Sequence, residues 1–200
     1  MSNYGRIELI IGCMWSGKST ELIRQAKRYG CINKKILIIN HESDKRYGKN
    51  VVSTHDSEQI TCISVNSLNH IFNISDYKFI DIILIDEAQF FPDLYSFANQ
   101  SANEDNKILI ISGLDGDFKR NQFGDITKLI PHAEKVTKLN ALCNICNDGS
   151  IASFTHRKVE DNKLNLIGSK HEYMPVCRFH YNVLNKLNLE NISDEILYNL

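Results

Sequence analysis

The sequence has no excess of charge of either sign. Its 23 Lys and Arg stand against 24 Asp and Glu, for a formal net charge of -1 over 200 residues. Such a balance argues against a surface whose main partner is the polyanionic backbone of DNA or RNA, so no nucleic-acid partner is expected. It also lacks an apolar run of about 18 residues, the length needed for a simple membrane span, and no membrane association is expected. The N-terminus enters a strand-like run almost at once, with no cleavage-site pattern, and reads without a secretory signal. Nor do the six Cys form a disulfide framework: Cys143, Cys146 and Cys177 cluster late and the other three are scattered. No internal repeat is present. What remains, with 42% hydrophobic and 9% aromatic residues, is a chain able to bury an ordinary core, and a cytoplasmic protein is expected.

Short β-branched runs alternate with helix-compatible stretches up to Ser112. Arg6–Ile11, Lys35–Asn40, Ile60–Val65, Ile80–Asp86 and Lys107–Ser112 are continuously apolar, as buried strands are. Ser19–Tyr29 places Leu22, Ile23 and Ala26 on one helical face. Pro92–Asn99 reads as a helix start with Leu94, Tyr95 and Phe97 inward. This alternation predicts an α/β fold, a parallel sheet with helices on both faces. Gly113–Gly124 reads as a shaped loop. The chain divides into a nucleotide-binding domain at 1–140, a small module at 141–184 with a hairpin between Ile151 and Ile167, and a tail at 185–200 that reads as a marginal amphipathic helix or a frayed end.

Gly12-Cys13-Met14-Trp15-Ser16-Gly17-Lys18-Ser19 matches G-x-x-x-x-G-K-[ST], between a predicted strand and a predicted helix. The two Gly let successive N–H groups converge on one concavity, and the helix start adds its positive dipole end. Lys18 supplies a point charge for terminal phosphates, and the Ser19 hydroxyl can ligate Mg²⁺. Phosphoryl transfer also needs an acid at the end of a hydrophobic strand, which Ile82–Asp86 provides. Asp86 suits Mg²⁺, and Glu87 can take a proton from an attacking hydroxyl or water. This pair alone leaves a small-molecule kinase and an ATPase open, because Asp86–Gln89 also resembles a helicase box.

Cys143-x-x-Cys146 and Cys177-x-x-His180 form two knuckles, the ligand pattern of a closed, structural tetrahedral zinc site. The redox reading of a lone C-x-x-C leaves Cys177 and His180 unexplained. A zinc hairpin that docks a protein or a nucleic acid, with ATP as its switch, is the non-enzymatic alternative.

Taken together, these segments resemble the zinc-containing thymidine kinases of the cellular and poxviral type. The resemblance runs from Ile7 to about Tyr181 through Gly12–Thr20, Asp44–Tyr47, Ser53–Asp56, Asp86–Asp93, Gly113–Arg120, Phe123–Gly124, Phe154–Arg157, Ile167–Gly168, Tyr173 and Cys177–His180. It implies ATP and thymidine as substrates, with deoxyuridine also accepted, and Mg²⁺ and a structural Zn²⁺ as cofactors. By the same resemblance Glu87 is the base toward the 5′-hydroxyl. Gly12–Ser19, Asp44, Lys45, Arg46, Asp86, Ala88 and Gln89 serve ATP and its metal. Phe118, Leu164, Asn165, Leu166, Ile167, Gly168 and Tyr173 hold the nucleoside, the last six from a zinc-stapled loop called the lasso. A homotetramer and feedback inhibition by dTTP are implied as well. The sequence departs from the family at Trp15, where Phe is usual, at Ser169, where a second Gly is usual, and at His171, where an acidic residue is usual. His41, His70, His132 and His156 read as solvent-facing or locally hydrogen-bonded.

Overall fold

A computed structural model describes residues 4–44, 51–53, 59–158 and 172–190, the last five of these for backbone only. The strands are β1 (Arg6–Gly12), β2 (Ile36–His41), β3 (Val51–Ser53), β4 (Gln59–Thr61), β5 (Ile63–Val65), β6 (Ile82–Ile85), β7 (Ile108–Gly113), β8 (Lys135–Leu139), β9 (Ala141–Leu142), β10 (Ile151–Ala152), β11 (Phe154–Arg157) and β12 (Tyr173–Val176). The helices are α1 (Lys18–Gly30), α2 (Leu94–Asn103) and α3 (Arg178–Glu190).

The central sheet runs β5-β2-β6-β7-β1-β8, and every neighbouring pair is parallel. Its middle strands are buried on both faces, which is why they read as unbroken apolar runs. On one face Leu22, Ile23 and Ala26 of α1 pack with Ile10, Ile38, Ile82, Leu84 and Ile110. On the other, Leu94, Phe97, Ala98 and Ala102 of α2 join Ile7, Leu9, Ile83, Ile85, Leu109 and Ile111. The α/β expectation therefore holds.

Several details differ from the expectation. The run from Ile60 to Val65 is two strands: β4 pairs antiparallel with β3, and only β5 joins the sheet beside β2. Tyr95 points outward at 38% exposure and sets its hydroxyl 3.0 Å from His132 Nε2. β8 carries no strand signal in the sequence because it is an edge strand of alternating, mostly exposed residues rather than an apolar run. After β8 the chain leaves the sheet and builds short ribbons, β9 with β10 and β11 with β12. The hairpin expected between Ile151 and Ile167 is instead Phe154–Arg157 paired with Tyr173–Val176, and 159–171 lie outside the described residues. α3 spans the boundary placed at 184/185.

Candidate active site

β1 stops at Gly12 and α1 begins at Lys18, so the phosphate-loop sequence caps the C-terminal edge of the sheet. Gly12 has a φ of 152°, and a Cβ there would lie 2.2 Å from the Leu139 carbonyl oxygen of β8, so no side chain fits. Gly17 has a φ of 83°, the left-handed conformation that glycine adopts without steric cost. Within the loop the Ser16 hydroxyl donates to the Cys13 carbonyl at 2.9 Å, and the Lys18 ammonium donates to the same oxygen at 2.6 Å. Burial pushes the pKa of Lys18 down, and the charges of Glu87, Cys13, Asp86 and Asp115 oppose that shift. An anion in the loop would reinforce the protonated form.

Lys18 thus faces the residues that leave β6. Asp86 is buried; its Oδ1 accepts from the Ser112 hydroxyl at 2.8 Å, and the Ser19 hydroxyl also bonds its carboxylate. Burial, followed by the neighbouring Glu87 charge, raises the Asp86 carboxyl to about 6. Carboxylate and hydroxyl oxygens brought together in this way are the donor set that Mg²⁺ takes. The next residue, Glu87, sits at φ 51° and ψ 38°, a left-handed conformation that costs a non-glycine residue about 1–3 kcal/mol. This turn swings its carboxylate out of the strand register toward Lys18. Gln89 is buried and its amide reaches back to Glu87 Oε2 at 2.6 Å. Ala88, between them in the chain, is also buried.

Asp44 follows β2, and its Oδ2 accepts from Asn40 Nδ2 at 3.2 Å. Lys45 and Arg46 lie outside the described residues, as do Leu164, Asn165, Leu166, Ile167 and Gly168. Phe118 and Tyr173 come together through a residue that the sequence reading left without a role, Arg157. Its guanidinium lies 4.0 Å from the centre of the Phe118 ring, and its Nε donates to the Tyr173 hydroxyl at 3.1 Å. Arg157 is only 5% exposed. A single basic residue in a short strand gives no signal of this in sequence; only the pairing of β11 with β12 does. Phe123 packs edge-on against Phe90 at 5.5 Å. Of the histidines expected to be solvent-facing or locally hydrogen-bonded, His41 and His156 are both buried, and His41 Nδ1 accepts from the Ser43 N–H at 3.1 Å.

The four knuckle residues converge, with ligand atoms all within 4.8 Å of one another. His180 Nδ1 lies 3.5, 3.3 and 3.3 Å from the sulfurs of Cys143, Cys146 and Cys177, and the Cys146 and Cys177 sulfurs are 3.8 Å apart. Tetrahedral zinc with ordinary bond lengths requires sulfur–sulfur edges of about 3.8 Å and sulfur–nitrogen edges of about 3.6 Å. The donor set therefore fits Zn²⁺. Burial raises the Cys143 thiol, but the N–H groups of Cys146, Cys177 and Ile145 outweigh it and bring the pKa to about 6, favouring the thiolate that a metal needs.

The ribbons beside these knuckles also reach the phosphate loop. The Met14 N–H donates to the Thr155 hydroxyl at 3.1 Å, and the Cys13 thiol donates to the Ala152 carbonyl at 3.3 Å. Cys13 shares one apolar cluster with Cys143, Ala152, Val176 and Tyr181, and Trp15 packs against it.

A family model described as thymidine kinase matches residues 5–181. The chain belongs to the thymidine kinase family. Among its relatives, the thymidine kinase of Yaba monkey tumor virus is 48% identical over 184 residues, covering 92% of this chain and 98% of that protein. The thymidine kinase of Myxoma virus (strain Uriarra) is 46% identical over 177 residues, covering 88% and 96%. Thymidine kinase a of Arabidopsis thaliana is 43% identical over 180 residues, covering 88% and 75%. Membership in the thymidine kinase family makes this chain a kinase and removes the docking-module and helicase readings of the sequence.

Proposed function

We propose that this thymidine kinase family member transfers the γ-phosphoryl group of ATP to the 5′-hydroxyl of thymidine, giving dTMP for nucleotide salvage, and that it accepts deoxyuridine as well. The observation that carries this reading is the turn after β6, which sets Asp86 and Glu87 against Lys18 of the phosphate loop. Gly12–Ser19 cradle the phosphates with backbone N–H groups, and Lys18 leaves the Cys13 carbonyl to meet the terminal phosphates. Asp44, Lys45, Arg46, Asp86 and Ala88 complete the nucleotide site. Ser19 and Asp86 hold Mg²⁺, which when bound neutralises charge on the phosphate oxygens. Glu87 takes the proton from the attacking hydroxyl.

Phe118, Tyr173 and Leu164–Gly168 enclose the base, with Arg157 fixing the two rings from behind. Cys143, Cys146, Cys177 and His180 hold Zn²⁺, which when bound fixes the unit at 141–184 against the 1–140 domain. All six cysteines are free, which suits a reducing, cytoplasmic compartment. A homotetramer inhibited by dTTP completes the reading. The exposed edge of β8 and the exposed pair Leu142 and Ile151, directly opposite each other on β9 and β10, offer surfaces for assembly. Light scattering tests the assembly: a monomer in solution contradicts it. Labelled phosphate transfer from ATP to a deoxynucleoside panel tests the activity, and a wild-type protein that labels no thymidine defeats the proposal.

A further inference from the structure

Gln89 carries two hydrogen bonds that pull in opposite directions along the fold. Its Oε1 accepts from the Leu114 N–H at 3.0 Å, and its Nε2 donates to Glu87 Oε2 at 2.6 Å. The orientation of the amide is therefore forced. A backbone N–H only donates and a carboxylate only accepts, so a flipped amide would lose both bonds. The fit around this residue is equally tight. A Cβ on Gly113 would come within 2.7 Å of Gln89 Oε1, and one on Gly124, where φ is 62°, within 2.2 Å of the Gln89 carbonyl oxygen. Gly113 and Gly124 are the two ends of the loop that carries Phe118.

We infer that Gln89 is a positioning residue for Glu87, locking the carboxylate of the proton acceptor to the loop that bears Phe118. This rests on the assignment of Glu87 as the base in the proposed reaction. With Oε2 held by the amide, rotation of the carboxylate stops, and Oε1 meets the nucleoside hydroxyl at one angle. The loop that contacts the base and the group that takes the proton are thereby set as one rigid unit. The resemblance assigns Gln89 to the phosphates; the side-chain geometry gives its amide to Glu87.

Gln89→Met removes both bonds at nearly constant length. The expected result is a kcat for thymidine about 10- to 100-fold lower, with KM for ATP and ATP binding, read from the fluorescence of the single Trp15, unchanged. The deciding measurement repeats the substitution in a Glu87→Gln background by single-turnover labelling, where it should cost nothing further because the group it acts through is gone. An equal fold-loss in both backgrounds overturns the inference. So does a wild-type kcat, or a raised KM for ATP at unchanged kcat, which would put the amide on the phosphates. Urea unfolding of Gln89→Met reads any cost of the unpaired Leu114 N–H separately. The rates of the two backgrounds are compared where both variants are fully folded, so a stability loss common to both does not enter the comparison. A wild-type enzyme that labels no nucleoside defeats the parent reading, whereas an active enzyme indifferent to Gln89 defeats this inference alone.

Discussion

Removing one zinc ligand should weaken ATP binding at a loop that contains none of the ligands. Cys177→Ser leaves the metal with three protein partners, in a module whose ribbons cannot stand alone. β9 and β10 have two residues each, β11 and β12 four, and isolated two-stranded ribbons are marginal in water. When the module loosens, the phosphate loop loses the Met14–Thr155 bond and the Cys13–Ala152 bond. An intramolecular hydrogen bond contributes about 0.5–1.5 kcal/mol, and the thiol bond belongs at the low end, so the two together come to about 1–2 kcal/mol. At about 1.4 kcal/mol per factor of ten, ATP affinity should fall roughly 5- to 30-fold. Metal content by atomic absorption and ATP titration by Trp15 fluorescence read both halves of the argument. Metal loss with unchanged ATP affinity would refute the coupling, and a wild-type protein that carries no zinc would refute the metal assignment itself.

Other outcomes follow from the same geometry. Gly12→Ala drives a Cβ into the Leu139 carbonyl and should abolish ATP binding while lowering stability by about 1–3 kcal/mol; an Ala variant that binds ATP normally contradicts the loop geometry. Arg157→Met removes the cation from the face of Phe118 and a donor from Tyr173, so KM for thymidine should rise about tenfold, with KM for ATP unmoved; the reverse pattern counts against the nucleoside assignment. Burial lowers the pKa of both His41 and His156, and His41 Nδ1 accepts from the Ser43 N–H, a bond that requires the neutral ring. The unfolded chain therefore binds protons near 6.5 that the fold refuses. Stability is full above that value and declines as pH falls from it toward the depressed folded pKa values. Urea unfolding of His156→Gln across this range should show a shallower decline than wild type, and an equal slope would exclude its share.

The parts of this protein that are legible in sequence are those where one local rule suffices. β1, β2, β6 and β7 announce themselves because burial on both faces demands unbroken apolar runs, and the phosphate loop because glycine alone fits at Gly12. The two zinc knuckles are legible because ligand spacing is a local property. The remainder depends on contacts between distant segments. β8 is an edge strand whose exposed Lys135 and Val136 carry no apolar signature, and β12 finds β11 across residues no pattern connects. Arg157 has meaning only beside Phe118 and Tyr173, and Gln89 only beside Leu114 and Glu87. A lone histidine such as His156 gives no hint in sequence of its burial.

In the proposed reaction Glu87, set in a left-handed turn directly after β6, takes the proton of a nucleoside hydroxyl. Its most direct test is labelled phosphate transfer from ATP and Mg²⁺ to thymidine by wild type and by Glu87→Gln, alongside ATP titration of both. The expected result is labelled dTMP from the wild type, a rate lower by about 10²–10⁴ in the variant, and matching ATP affinities. An unchanged rate in Glu87→Gln would contradict it.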